Sequence, residues 1–399
     1  MKKILYLFTM VTALVFTSCT NDDHNAPGEF NGESKIYQLE SRSNNDIKGT
    51  ATIVENADGS ATVNLKLDGT ATGSHPAHIH ANSAAESGDI IVDLTPVDGA
   101  TGESTTIISA RKDGTKITYD QILELDGYIN VHQSASDLGT LIAQGDIGIN
   151  ELVGESKEYE LNSVVVPTIK GTATIHKRIS GASLLEIELE GTPEDGEHPA
   201  HIHANTAAES GDILISLSSV NGKSRKSWTH IEADNEGTEV MYEDLLEYNG
   251  YINVHLSGEE LGVIVAQGDI GQNELTGNQK SYNLVSVANA SISGTATFSE
   301  RVNKQTLVTL ELAGTTAGGI HPAHIHMGSV ADAPGDIVVS LTNVIGATGI
   351  SKTNVAQLDA GGAVDYEALL AIDGYINVHL GADQLGTLIA QGNVGANVN

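Results

Sequence analysis

The sequence predicts an all-β protein built from three tandem copies of one antiparallel domain. Three observations carry this. One histidine-rich string recurs at a fixed interval. Short runs of Val, Ile and Thr alternate with polar residues, and glycine is abundant (43 residues) while aromatic residues make up only 4% of the chain. Such a composition favours many short strands and turns over long helices.

The repeat is read from the histidines. His75-Pro76-Ala77-His78-Ile79-His80 returns as His198 to His203 and again as His321 to His326, at an interval of 123 residues each time. A second block, Gly127-Tyr128-Ile129-Asn130-Val131-His132, returns at Gly250 to His255 and Gly374 to His379. A third, Leu138-Gly139 through Ala143-Gln144-Gly145, returns at Leu261 to Gly268 and Leu385 to Gly392. The copies are bounded at 33–153, 154–277 and 278–399. Each is long enough to bury its own core, and the period is too long for a solenoid unit. The third copy has one extra residue between His326 and Asp336, which marks a loop.

Within the first copy, Gly49 to Val54 and Ala61 to Leu67 alternate around a turn at Asn56 to Gly59, a hairpin pattern. His75 to His80, Asp89 to Leu94, Tyr128 to His132 and Thr140 to Ala143 read as further strands. Tyr119 to Leu125 reads as a short helical turn ahead of Asp126-Gly127. Strands of this length and spacing suit an antiparallel β-sandwich or barrel.

The N-terminus reads as a lipoprotein signal peptide over residues 1–18. Lys2 and Lys3 precede an apolar stretch from Ile4 to Phe16, too short to span a bilayer. Thr17-Ser18 then lead to Cys19, the single cysteine of the chain, whose thiol is the expected lipidation site. Lipidation there leaves no thiol for catalysis, redox pairing or metal binding. Residues 19–32 are polar and read as a flexible tether. Thr20-Asn21-Asp22-Asp23 resembles an acidic export signal. The expected location is therefore the outer membrane, exposed at the cell surface, with a periplasm-facing placement as the alternative. The expected partners are the membrane, through the lipid, and a ligand at the surface or outside the cell.

The chain has 52 acidic and 20 basic residues, a net charge of −32. This surface repels phosphate backbones, so nucleic acid is excluded as a partner. Phosphate-loop spacing, a nucleophile elbow and a recurrent carboxylate pair are all missing from the repeated blocks. Trp228 occurs once and so belongs to no repeated site. No catalytic role is expected.

Side chains two apart on a strand share a face. His78 and His80 therefore point together, and Tyr128, Asn130 and His132 do likewise, with the alternating apolar residues turned to the core. If the two strands are neighbours, His78, His80 and His132 converge. The equivalents are His201, His203 and His255, then His324, His326 and His379. Three imidazoles suit Zn²⁺ or Cu²⁺. Asp89, Asp212 and Asp336 are candidates for a fourth ligand or for support of the first three. The competing reading is a buried polar network in which the histidines, with Tyr128 and Asn130, Tyr251 and Asn253, and Tyr375 and Asn377, fix strand register. His75, His198 and His321 precede proline and are expected in loops. His24, His176 and His230 do not recur and are expected at the surface.

The order of these motifs resembles the CHRD domain first described in chordin, with its His-Ile-His segment, its Tyr-Val-Asn-Val-His segment and its Gly-Glu-Ile-Arg-Gly-Gln end. The first two match in all three copies. The third departs: Thr140, Ile142 and Ala143, then Val263, Val265 and Ala266, then Thr387, Ile389 and Ala390, stand where that family favours Glu, Arg and Gly. The resemblance implies an immunoglobulin-like sandwich or barrel that is secreted or surface-borne. A weaker similarity, to copper/zinc superoxide dismutase, rests on a His-x-His strand and a later Val-His strand. Repetition and anchoring together point first to multivalent binding or adhesion, second to one Zn or Cu site per domain, and last to a dismutase-like enzyme.

Overall fold

The computed structural model describes residues 32–42, 47–287 and 291–398. The signal peptide, Cys19, His24 and nearly all of the tether lie outside these residues. Among the described residues no helix is long and apolar enough to cross a membrane.

The first barrel consists of β1 (Ser34–Ser41), β2 (Lys48–Glu55), β3 (Ala61–Asp68), β4 (Ser74–Ala81), β5 (Ile90–Asp98), β6 (Glu103–Ile108), β7 (Asp126–Ser134) and β8 (Asp137–Gly148), with helix α1 (Tyr119–Leu123) between β6 and β7. The strands close in the order β1-β2-β3-β6-β5-β4-β7-β8, all antiparallel. Closure is made where Glu40 and Ser41 pair with Gln144 and Ala143. A closed sheet leaves no edge to template another chain. Between the two architectures the sequence allowed, the hydrogen bonding is that of a barrel.

The hairpin from β2 to β3 turns at Asn56 to Gly59, with Gly59 at φ 79°. Two strands carried no clear signal in the sequence, β1 and β6, because their apolar residues are few and Ile36 and Ile107 face outward, which blurs the alternation. Helix α1 is capped by Thr118, whose side chain accepts from the Gln121 N–H while Gln121 returns the bond to the Thr118 N–H.

Inward residues of each strand build one core per barrel. In the first, Leu39, Ala51, Ile53, Val63, Ala77, Ile79, Ile129, Val131, Ile142 and Ile147 are all fully buried. The second and third barrels repeat the strand order, from Leu152 to Gly271 and from Leu275 to Gly395. Their first strands, Leu152–Ser163 and Leu275–Ser286, begin before the boundaries drawn from the sequence at 153/154 and 277/278. Leu152 already pairs with Arg178, and Leu275 with Arg301, so these residues belong to the barrel that follows.

Candidate metal centre

In the first barrel β4 pairs with both β5 and β7. Its register with β7 sets Ala77 against Val131, His78 against Asn130, Ile79 against Ile129 and His80 against Tyr128. The apolar pairs face the core. The polar pairs therefore share the outer face of the barrel, as the alternation demands. His132 lies one step further along β7, where a bulge shifts its pairing with β8 to Leu141. That shift brings its ring to 5.1 Å from the His78 ring and 6.5 Å from that of His80.

One nitrogen from each of the three rings lies within 4.8 Å of the other two. The same holds for His201, His203 and His255, and for His324, His326 and His379. Loop carbonyls orient the rings. His80 Nδ1 donates to the Gly88 carbonyl at 2.9 Å, and His132 Nδ1 to the Leu138 carbonyl at 2.7 Å. A carbonyl can only accept, so each of these rings, when neutral, has its proton on Nδ1 and a lone pair on Nε2. In the first barrel His78 Nδ1, His80 Nε2 and His132 Nε2 are all buried without a hydrogen-bond partner. In the second and third barrels His203 Nε2 and His326 Nε2 are likewise unpartnered. There the other two nitrogens lie 3.0 Å apart (His201 Nδ1 and His255 Nε2) and 3.2 Å apart (His324 Nδ1 and His379 Nε2).

Burial lowers the pKa of His78, His201 and His324, and the neighbouring imidazoles lower it further. Burial also lowers those of His132, His255 and His379, partly opposed by their carbonyl bonds. Neutral imidazole is the form that ligates a metal. Three imidazole nitrogens around one Zn²⁺, at about 2.0–2.1 Å each, stand roughly 3.4 Å apart.

The aspartates offered as fourth ligands do not join the triads. Asp89, Asp212 and Asp336 are exposed, and their backbone carbonyls serve the loop by accepting from Ala81, Ala204 and Met327. The sequence reading missed the carboxylate that does approach the first triad, Asp93, which pairs with His78 across β4 and β5. It lies 3.9 Å from His78 Nε2 and is bridged to Lys112 at 3.1 Å. Ser216 and Ser340 stand opposite the equivalent histidines, so the rims differ while the triads do not.

Tyrosine and asparagine build the surroundings. Tyr128 stacks on His80 at 4.8 Å, and its hydroxyl accepts from the Gly88 N–H at 3.1 Å, so one residue holds both the ring and the loop that orients it. Tyr251 and Tyr375 do the same for His203 and His326. Asn130 Oδ1 accepts from Gln144 at 2.8 Å and Asn253 Oδ1 from Gln267 at 2.7 Å. Gln144 and Gln267 close the third repeated block, which is the signal that could have placed them here.

Two histidine expectations need correction. His75, His198 and His321 lie inside strands and are 2%, 1% and 1% exposed, not in loops. The proline that follows each one falls at a bulge in the pairing with the next strand, where no ladder bond is required of it. Their Nδ1 atoms bond the carbonyls of Gln133, His255 and Leu380. His230 is not at the open surface either; its side chain is 8% exposed between Glu232 and Glu86 of the preceding barrel. His176 is half-buried beside Glu186.

Residues 36–141 match the family model of the CHRD domain. Comparison with curated proteins returned no match, and neither did comparison with solved structures. The matched segment spans β1 to the middle of β8 and contains the entire first triad. By its motifs and by this match, the first barrel, over residues 36–141, is similar to the CHRD domain family.

Proposed function

We propose that each barrel binds one late first-row transition metal ion, Zn²⁺ or copper, so that the chain carries three. The observation behind this reading is the convergence of three imidazole nitrogens in each barrel, all three buried and unpartnered in the first and one of three in the second and third, while loop carbonyls hold the opposite nitrogens of the second and third histidine of every triad. A network that existed only to fix register would satisfy all three nitrogens of the first triad and the remaining one of each other triad, because a buried polar atom left without a partner is costly. Tyrosine, asparagine and glutamine fit the register role; the triads fit a ligand role. An all-nitrogen set of borderline softness suits Zn²⁺ and copper rather than Ca²⁺ or Mg²⁺, which take oxygen ligands.

The test is elemental analysis of purified full-length mature chain after metal exposure and exhaustive dialysis. Close to three Zn or Cu per chain is expected. Removal of one triad by triple His→Ala substitution should lower that by one, with the other two sites unchanged. Metal retained equally after all three triads are removed would sink the reading.

The setting we propose is a lipid-anchored binding protein at the cell surface rather than an enzyme. The signal-like N-terminus, the lone Cys19 and the three copies in one chain support it. Three weak contacts on one tether add through effective concentration. Metabolic labelling with a fatty acid should mark the wild-type chain and not Cys19→Ser; equal labelling of both would remove the anchor.

A further inference from the structure

We propose that Arg178 and Arg301 are positioning residues: each locks a junction between successive barrels and thereby holds the histidine centre of the barrel before it. The consequence for metal affinity rests on the metal reading above; the loop geometry does not.

Arg178 ends a strand of the second barrel, and its side chain is fully buried. Its Nη1 donates to Asp146 Oδ2 of the first barrel at 2.8 Å and also to the Asn150 carbonyl. The other oxygen of Asp146 accepts from the Ala84 N–H at 2.7 Å. Asn150 Nδ2 donates to the Asn82 carbonyl at 3.2 Å. Asn82 and Ala84 lie in the loop that ends at Gly88, whose carbonyl holds His80 Nδ1. The arginine of one barrel thus reaches the ligand loop of the previous barrel through a single carboxylate.

The second junction repeats every part. Arg301 Nη1 donates to Asp269 Oδ2 at 2.7 Å and to the Asn273 carbonyl. Asp269 Oδ1 accepts from Ala207 at 2.8 Å, and Asn273 Nδ2 donates to the Asn205 carbonyl at 2.7 Å. Gly211 at the end of that loop holds His203.

The equivalent positions in the first and third barrels show what the charges are for. In the first barrel Asn56 stands at the arginine position, bonded locally to Ser60 and Thr62. In the third barrel Asn393 stands at the aspartate position. Its Oδ1 still accepts from Val330 at 2.8 Å, and Asn397 still donates to the Gly328 carbonyl at 2.7 Å. An amide is therefore enough to cap the loop. Carboxylate appears only where an arginine from the next barrel meets it. Breaking such a buried pair leaves an uncompensated charge, so the junction and the loop are expected to loosen together.

The experiment measures amide hydrogen exchange in the full metal-free chain, comparing wild type with Arg178→Met, Arg178→Lys and Asp146→Asn. Exchange in residues 82–88 is expected to quicken about fivefold or more in Arg178→Met. The loop at 328–335 should keep its wild-type rate. Arg178→Lys should restore protection, because only one guanidinium nitrogen makes both contacts and an ammonium can replace it. Should the methionine variant fail to fold, Asp146→Asn, which keeps an acceptor for the Ala84 N–H but leaves the buried Arg178 charge without its partner, is expected to give the same local loosening. In a chain whose second and third triads are removed, Zn²⁺ affinity should fall by a similar factor in Arg178→Met. Unchanged exchange at 82–88 in a folded variant, or equal loosening at 328–335, would overturn the proposal. Absence of Zn²⁺ binding in the wild type would instead count against the metal reading, and the exchange result would still decide this one.

Discussion

At the scale of single residues, the centre depends on which nitrogen of each ring carries the proton. His132→Ala removes one of the three imidazoles proposed as ligands in the first barrel and should cost that site most of its Zn²⁺ or copper affinity while the other two sites stay filled, measurable by metal titration. Tyr128→Phe keeps the stacked ring and loses the hydroxyl that accepts from Gly88. It should weaken the first site about 10-fold or more without emptying it, as loss of a supporting contact around a metal typically does. The six imidazoles of lowered pKa, His78, His132, His201, His255, His324 and His379, also set a pH response. Below about pH 6.5 the unfolded chain takes up protons that the folded chain resists. Stability of the metal-free protein should therefore be flat above that pH and fall as pH drops below it. Thermal melts at pH 8 and pH 5 check this, and triple His→Gln substitution in all three barrels should flatten the slope.

The elements show how much of this was readable beforehand. Alternation in His75 to His80 and in Tyr128 to His132 was enough to turn Ala77, Ile79, Ile129 and Val131 inward and the histidines outward, because strand period alone fixes the face. Whether those strands were neighbours was a matter of pairing between distant segments, which periodicity does not encode. Barrel closure was hidden for the same reason: it rests on two residue pairs between β1 and β8. Asp89 looked like a ligand by proximity in sequence, yet the loop uses its backbone. Arg178 and Asp146 were visible only as departures between copies, at Asn56 and Asn393. Gly148 is a position where the element itself demands glycine. Its φ is 62°, and a Cβ there would lie 1.9 Å from the Leu125 carbonyl oxygen. Gly148→Ala should cost about 1–3 kcal/mol or more from the backbone conformation alone, read by denaturant unfolding. Tyr37 and Tyr159, pushed up to about 12 by burial, make an alkaline counterpart to the histidines. Between about pH 10 and 12 the unfolded chain ionises them while the folded chain does not, so stability should decline across that window.

For the whole molecule, repetition separates what serves the fold from what serves the site. Three barrels keep the triad, the stacked tyrosine and the carbonyl that orients the second histidine, while the rim opposite the first histidine changes from Asp93 to Ser216 and Ser340. At each junction a buried arginine of one barrel bonds an aspartate of the barrel before it. The central claim is that three imidazoles of each barrel bind one metal. X-ray absorption at the metal edge of the Zn²⁺- or copper-loaded full-length chain tests it most directly. The account predicts about three imidazole nitrogens per metal near 2.0–2.1 Å, with the outer-shell scattering of their rings. A shell of oxygen ligands without imidazole scattering would contradict it, and would place the metal on the acidic surface instead.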